Sequence, residues 1–186
     1  MKDFSMFEQT LKIVQATGID DLGFVPNVSR REFDGRQTFA CSAPSPAIEY
    51  LSLLIENMLL LRTNRTGRVY AGFGKLSQME PVVERYLRIA DVSERVYIFG
   101  EADWTPPRHP NMKLIETGAS GYASREWFII ADSSNLRVAL VARSEEDFET
   151  RGFEARACRA IKSSDPAVVT QLAAFAEGLI DTSLAA

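Results

Sequence analysis

Val69-Tyr-Ala-Gly72, Val96-Tyr-Ile-Phe99, Trp127-Phe-Ile-Ile-Ala131 and Val138-Ala-Leu-Val-Ala142 are four short apolar runs within the stretch from Val69 to Arg143. Between the first two lies a segment with helical spacing, and between the last two lie the turn residues Ser133-Ser-Asn135. Runs of this length with such punctuation read as strands. The first pair therefore predicts a crossover through a helix, and the last pair predicts a hairpin.

Outward from that stretch, four helices are predicted. The first covers about Met6 to Ala16, with Phe7, Leu11 and Val14 on one stripe and Gly18 as its stop. The second runs from about Pro46 to Arg62 and is apolar over most of its girth. The third spans about Gln78 to Ala90 and the fourth about Pro166 to Thr182. Ser5-Met-Phe-Glu8 and Ser77-Gln-Met-Glu80 read as capping boxes, while Ser45-Pro46 and Asp165-Pro166 set a capping side chain before a helix-starting proline.

Strands fall between these helices: Thr38 to Ser42, Arg68 to Gly72, Arg95 to Gly100, Lys113 to Thr117, Glu126 to Asp132 and Arg137 to Arg143. Phe153 to Arg159 alternates in polarity, as a half-exposed edge strand would. Leu22 to Gln37 has no clear period and reads as loop, with one extra strand near Gly23 to Val25. The fold expected is α/β: a mixed β-sheet with an N-terminal βαβαβ run followed by antiparallel strands, and helices on both faces. No repeat or linker divides residues 1–186, so a single domain is expected.

Composition limits what such a domain does. With 46% apolar residues the chain can bury a real core without a metal or disulfide staple. A net charge of −4, spread without acidic or basic tails, argues against nucleic acid as the main partner. No segment has the basic flank and apolar run of a signal peptide, and Glu56 and Asn57 interrupt the greasiest one, so no membrane span and a cytoplasmic location are expected. Cys41 and Cys158 read as two buried thiols.

Chemistry is thinly represented. His109, in Pro106-Pro-Arg-His-Pro110, is the only histidine, and there is no spaced cysteine pair, so neither a catalytic triad nor a zinc or iron site is expected. The sequence names no cofactor. Gly72-Phe-Gly-Lys75-Leu-Ser77 follows a strand and opens a helix, a context in which backbone amides can hold an anion, but it lacks the Walker spacing. Arg62, Arg65 and Arg68 follow the second helix, where they complement its dipole or meet an acidic partner. Glu126, at the head of an apolar strand, must be exposed, paired or protonated. An Arg–Glu tie between helix and sheet is the expected answer for it and for Glu49, Glu84 and Arg85.

One ordered series carries a resemblance. Ala47-Ile-Glu49, Tyr70-Ala-Gly-Phe73, Glu84-Arg-Tyr86, and Val96-Tyr-Ile-Phe-Gly100 with Asp103 are followed by Glu126-Trp-Phe-Ile-Ile130, Ala139-Leu-Val-Ala142 and Gly152-Phe-Glu154. In order and context, across roughly Phe39 to Leu179, this series resembles the DICT domain, a bacterial sensory module named for diguanylate cyclases and two-component systems. The resemblance implies a non-catalytic signal-input or adaptor role. A stand-alone copy is then expected to bind a small molecule or a signalling protein partner, or to self-associate as a homodimer. If a ligand binds, Gly72, Phe73, Gly74, Lys75, Trp104 and Glu126 are where it is expected. Two alternatives come from other classes. One is a small enzyme using Glu126 or Asp103 with His109, and the other is a purely structural protein–protein interaction module joined along the Phe153–Arg159 edge or one helix face.

Overall fold

The computed structural model describes residues 4–62, 64–118, 122–144 and 157–184. Among them eight strands form one sheet: β1 (Asp20–Phe24), β2 (Thr38–Pro44), β3 (Asn64–Lys75), β4 (Ser93–Glu101), β5 (Met112–Glu116), β6 (Glu126–Asp132), β7 (Arg137–Ser144) and β8 (Ala157–Ser163). Five α-helices accompany them: α1 (Met6–Gln15), α2 (Arg30–Gly35), α3 (Ser45–Leu61), α4 (Val83–Val92) and α5 (Pro166–Leu184). The strand order is β1-β2-β8-β7-β6-β3-β4-β5.

Alternation along the strands divides the core in two. Cys41, Val69, Ala71, Ile98, Ile129, Leu140 and Ala160 point to the face covered by α2, α3 and α4. Tyr70, Phe99, Phe128, Ile130, Val141 and Ile161 point to the face covered by α1 and α5. Helices on both faces and a mixed sheet agree with the expected α/β class. So do the parallel β3–β4 pair joined through α4 and the β6–β7 hairpin over Ser133–Asn135. Cys41 and Cys158 are free and buried, and burial pushes the Cys41 thiol up to about 11.

Several expectations are corrected. The strand near Arg159 is not an edge: β8 lies between β2 and β7, antiparallel to both. Residues 153–156 lie outside the described residues. Glu154, Arg156 and Cys158, alternating with Phe153, Ala155 and Ala157, gave the segment its half-exposed look. Arg159 reaches Asp21 on β1 (2.5 Å), and Lys162 is 2% exposed with its ammonium spent on oxygens. β2 and β3 are not neighbours, because β8, β7 and β6 are inserted between them. The extra strand expected near Gly23 is β1, which starts earlier, at Asp20, and the rest of the stretch read as loop also holds α2, which Ser29 and Glu32 open with a reciprocal capping box.

Two helix starts also differ. Ser45 is buried and its hydroxyl lies 3.2 Å from Cys158 Sγ, so Pro44 precedes α3 without a side-chain cap. The third helix begins as a 3-10 helix (Leu76–Val82) containing Pro81 and becomes α-helical only at Val83. Proline has no amide to donate, and Pro81 stands ahead of α4, not in its interior.

Candidate functional site

β3 and β4 run parallel and β6 runs against β3, so the ends of β3 and β4 meet the start of β6. A narrow crevice opens there, lined by Phe4, Phe73, Phe99, Phe128, Thr117, Glu126 and the backbone of Gly72, Gly74 and Gly100. Four of the six residues singled out from sequence, Gly72, Phe73, Gly74 and Glu126, share it. Lys75 ends β3 opposite Glu101, outside the lining. Trp104 packs half-buried against the other apolar cluster.

The glycines serve packing. Gly72 faces Phe128 across the β3–β6 ladder, and a Cβ on Gly72 would stand 2.2 Å from the Phe128 ring. A Cβ on Gly74 would stand 2.6 Å from the Ser124 carbonyl oxygen. The start of the following 3-10 helix is also occupied: the Ser77 amide and hydroxyl both donate to Asp103, at 2.9 and 2.5 Å. The Ser77–Glu80 capping box expected there is replaced by this Asp103 contact. Slight burial raises the Asp103 carboxyl, but the two Ser77 bonds, its own amide and the Lys75 charge outweigh that and hold it below its ordinary value.

Glu126 is 2% exposed and is the polar centre of the crevice. It accepts hydrogen bonds from the Ser5 hydroxyl (2.5 Å) and the Phe7 amide (3.1 Å), so a carboxylate from the sheet caps the first turn of α1. Burial raises its pKa, opposed by Ser5, the amides of Phe7 and Met6, and the charge of Arg143. The expected Arg–Glu tie is found elsewhere. Arg143, opposite Glu126 on β7, binds Glu8 of α1 (2.5 Å) and lies 4.4 Å from the Phe7 ring centre. Arg85 on α4 binds buried Glu56 of α3 (2.9 Å), where Tyr86 also donates. Burial raises the Glu56 pKa against these two partners.

Among the other polar candidates, His109, Arg62 and Arg68 are engaged in holding the fold. His109 Nε2 lies 3.0 Å from Asp91 at the end of α4, and its Nδ1 accepts the Asn111 amide, which pins the proline loop to that helix. Arg62 donates to the Asn135 carbonyl. Arg68 donates to Glu177 of α5 (2.8 Å), to which the Tyr70 hydroxyl also donates. Among the described residues no group of three or more His, Cys, Asp or Glu could hold a metal ion, and no helix is long and apolar enough to cross a membrane.

Sequence reasoning missed Phe4, Phe99, Thr117 and Phe128 as lining residues. The local signal was present only for Ser5, whose hydroxyl does accept the Glu8 amide (3.0 Å) as a capping residue should. Glu8 does not complete the box, because it turns to Arg143.

The family model described as "Sensory domain in DIguanylate Cyclases and Two-component system" matches residues 49–145, just over half of the chain. No curated protein matches. Three solved structures align with this chain. A polyphosphate kinase from Porphyromonas gingivalis gives a TM-score of 0.51 at 8% identity, over 80% of this chain and 26% of that one. The archaeal chromatin protein TrmBL2 gives 0.48 at 13% identity, over 95% and 58%. NucT from Helicobacter pylori gives 0.42 at 11% identity, over 77% and 96%. The chain thus spans about a quarter of the kinase and little more than half of TrmBL2, and at such identities the kinase match speaks to the fold alone.

Proposed function

The chain belongs to the DICT family of sensory domains, and from that premise we propose that it is a non-catalytic signal-input protein. Its input site is the crevice around Glu126, and its responding element is α1. One observation carries this reading: a single buried carboxylate both lines the crevice and caps the helix. A ligand that donates hydrogen bonds to Glu126 displaces the donors Ser5 and Phe7 from it. Loss of such a cap weakens a helix start by about 1 kcal/mol, enough to shift a two-state population severalfold.

The crevice has hardly more room than a water molecule while Phe4 stands in it. Ligand entry therefore requires the Phe4–Ser5 arm to move, and that movement is the signal. A signalling protein that recognises α1 or the surface it leaves is the natural receiver. Against acid–base chemistry, Glu126, Asp103 and His109 each hold a structural partner, and none of those partners is another member of the trio.

Native mass spectrometry of the protein purified gently from its host tests the reading. The expected result is an added mass that is lost on denaturation and reduced in Glu126→Gln. A retained mass indifferent to Glu126→Gln places the ligand elsewhere, and a bare chain with a co-purified protein moves the input to partner binding.

A further inference from the structure

Helix α3 is apolar on two sides, and the sheet needs only one. Ile48, Leu51, Ile55 and Leu59 face the core and are fully or nearly buried. On the outer side Tyr50 is 42% and Leu61 83% exposed, Leu53 and Leu60 are half-buried, and Asn57 is exposed. Tyr50, Leu53, Asn57 and Leu60 repeat at alternating steps of three and four, the spacing of a two-helix seam, with one asparagine among apolar positions. Leu60 still packs against the core of its own chain, but Tyr50 and Leu61 stay exposed in the monomer.

We propose that this outer face of α3 is the surface through which two copies of the chain associate, with the two helices antiparallel. The ends of the stripe favour that partner and that direction. Exposed Glu49 opens it and exposed Arg62 closes it, so a reversed copy sets each Glu49 beside the partner's Arg62 end. The same reversal layers Tyr50 on Leu60 and Leu61 of the partner copy, and Leu53 on Asn57 of the partner copy. The two asparagines then flank the symmetry axis, where a polar pair fixes register in an otherwise apolar seam. A two-fold axis is also the commonest way a single self-complementary patch closes. The 17-residue helix is about 25 Å long.

α3 lies on the opposite face of the sheet from α1 and the crevice, so the seam stands or falls separately from the ligand reading. Light scattering after size exclusion is expected to give twice the 20.7 kDa of the chain. Leu53→Asp with Leu61→Asp is expected to weaken the dimer at least tenfold while leaving the circular dichroism spectrum unchanged. Leu61→Asp alone alters a side chain that is mostly solvent-exposed, so it keeps the test open if the double variant folds poorly. Under oxidising conditions Tyr50→Cys with Leu61→Cys is expected to give a covalent dimer, and Tyr50→Cys alone is not. A monomer at all concentrations, a dimer indifferent to both aspartates, or cross-linking by Tyr50→Cys alone would each overturn the proposal.

Discussion

Glu126 on β6 and Lys162 on β8 each carry an ionisable group into the interior, and each ends at a helix terminus of opposite polarity. Glu126 meets the amides that open α1. Lys162 donates to the carbonyls of Phe33 (2.8 Å) and Arg36 (2.6 Å) that close α2, and to Ser164 Oγ (3.2 Å). Both are 2% exposed. They differ in what surrounds them. Lys162 is shut in by the rings of Phe33 and Phe39, 4.8 and 6.0 Å from its nitrogen. Glu126 borders a crevice, and Phe4, just ahead of the helix it caps, is part of the lining. One group closes a structural joint, and the other sits at the joint that the proposed input would open.

Removing the closed joint is expected to cost most. Lys162→Ala strips a buried stem and leaves two carbonyls without their donor, so urea denaturation should show a loss of about 3–4 kcal/mol. Glu126→Ala should cost about 2 kcal/mol, and hydrogen exchange should show the loss concentrated in α1. Equal loosening of α1 and α2 in both variants would erase the contrast between the two joints.

The two groups also give stability opposite pH dependences. Burial lowers the Lys162 pKa to about 8, with Asp34 opposing. The folded protein therefore sheds this proton before the unfolded chain does, and stability rises with pH from about 8 towards the ordinary lysine range near ~10.4. The Glu126 pKa is raised, so the folded protein gains this proton first. Its contribution grows as pH falls through the raised value and levels off below the ordinary carboxylate value near ~4.3. Glu56 adds in the same acid window, so the difference between the wild-type curve and Glu126→Gln isolates the share of Glu126. A curve with no alkaline rise in wild type, or with one that survives Lys162→Met, would remove Lys162 from the account.

The smallest effect is expected at Ser5. Ser5→Ala removes one cap hydrogen bond and one donor to Glu126, while the Phe7 amide remains. A loss of about 1 kcal/mol in thermal or urea unfolding should accompany it.

How far these features could be read in advance differs by element. The capping serines at 5 and 29 stand in the same pattern, a serine followed three residues later by glutamate, yet only Ser29 receives the reciprocal bond. Glu8 is drawn away by Arg143, which lies 135 positions distant. Gly72 and Gly74 looked like a loop that could hold an anion because a glycine pair before a helix is the local sign of one. Their true neighbours, Phe128 and Ser124, lie about fifty residues away and give no local sign.

The sequence by itself determined the elements and the parity of their faces. Short apolar runs bounded by turn residues made strands of Val69–Gly72 and Trp127–Ala131, helical spacing made α1, α3 and α5, and a polar tripeptide made the β6–β7 hairpin. Only the tertiary structure decided that β8 slips between β2 and β7, that β2 stands apart from β3, and that Glu126 reaches back to Ser5 across 121 positions. The physical reason is range. Periodicity records which side of an element is apolar, and neighbouring residues suffice to write it. Strand order and the partners of a buried charge are set by which distant surfaces pack together.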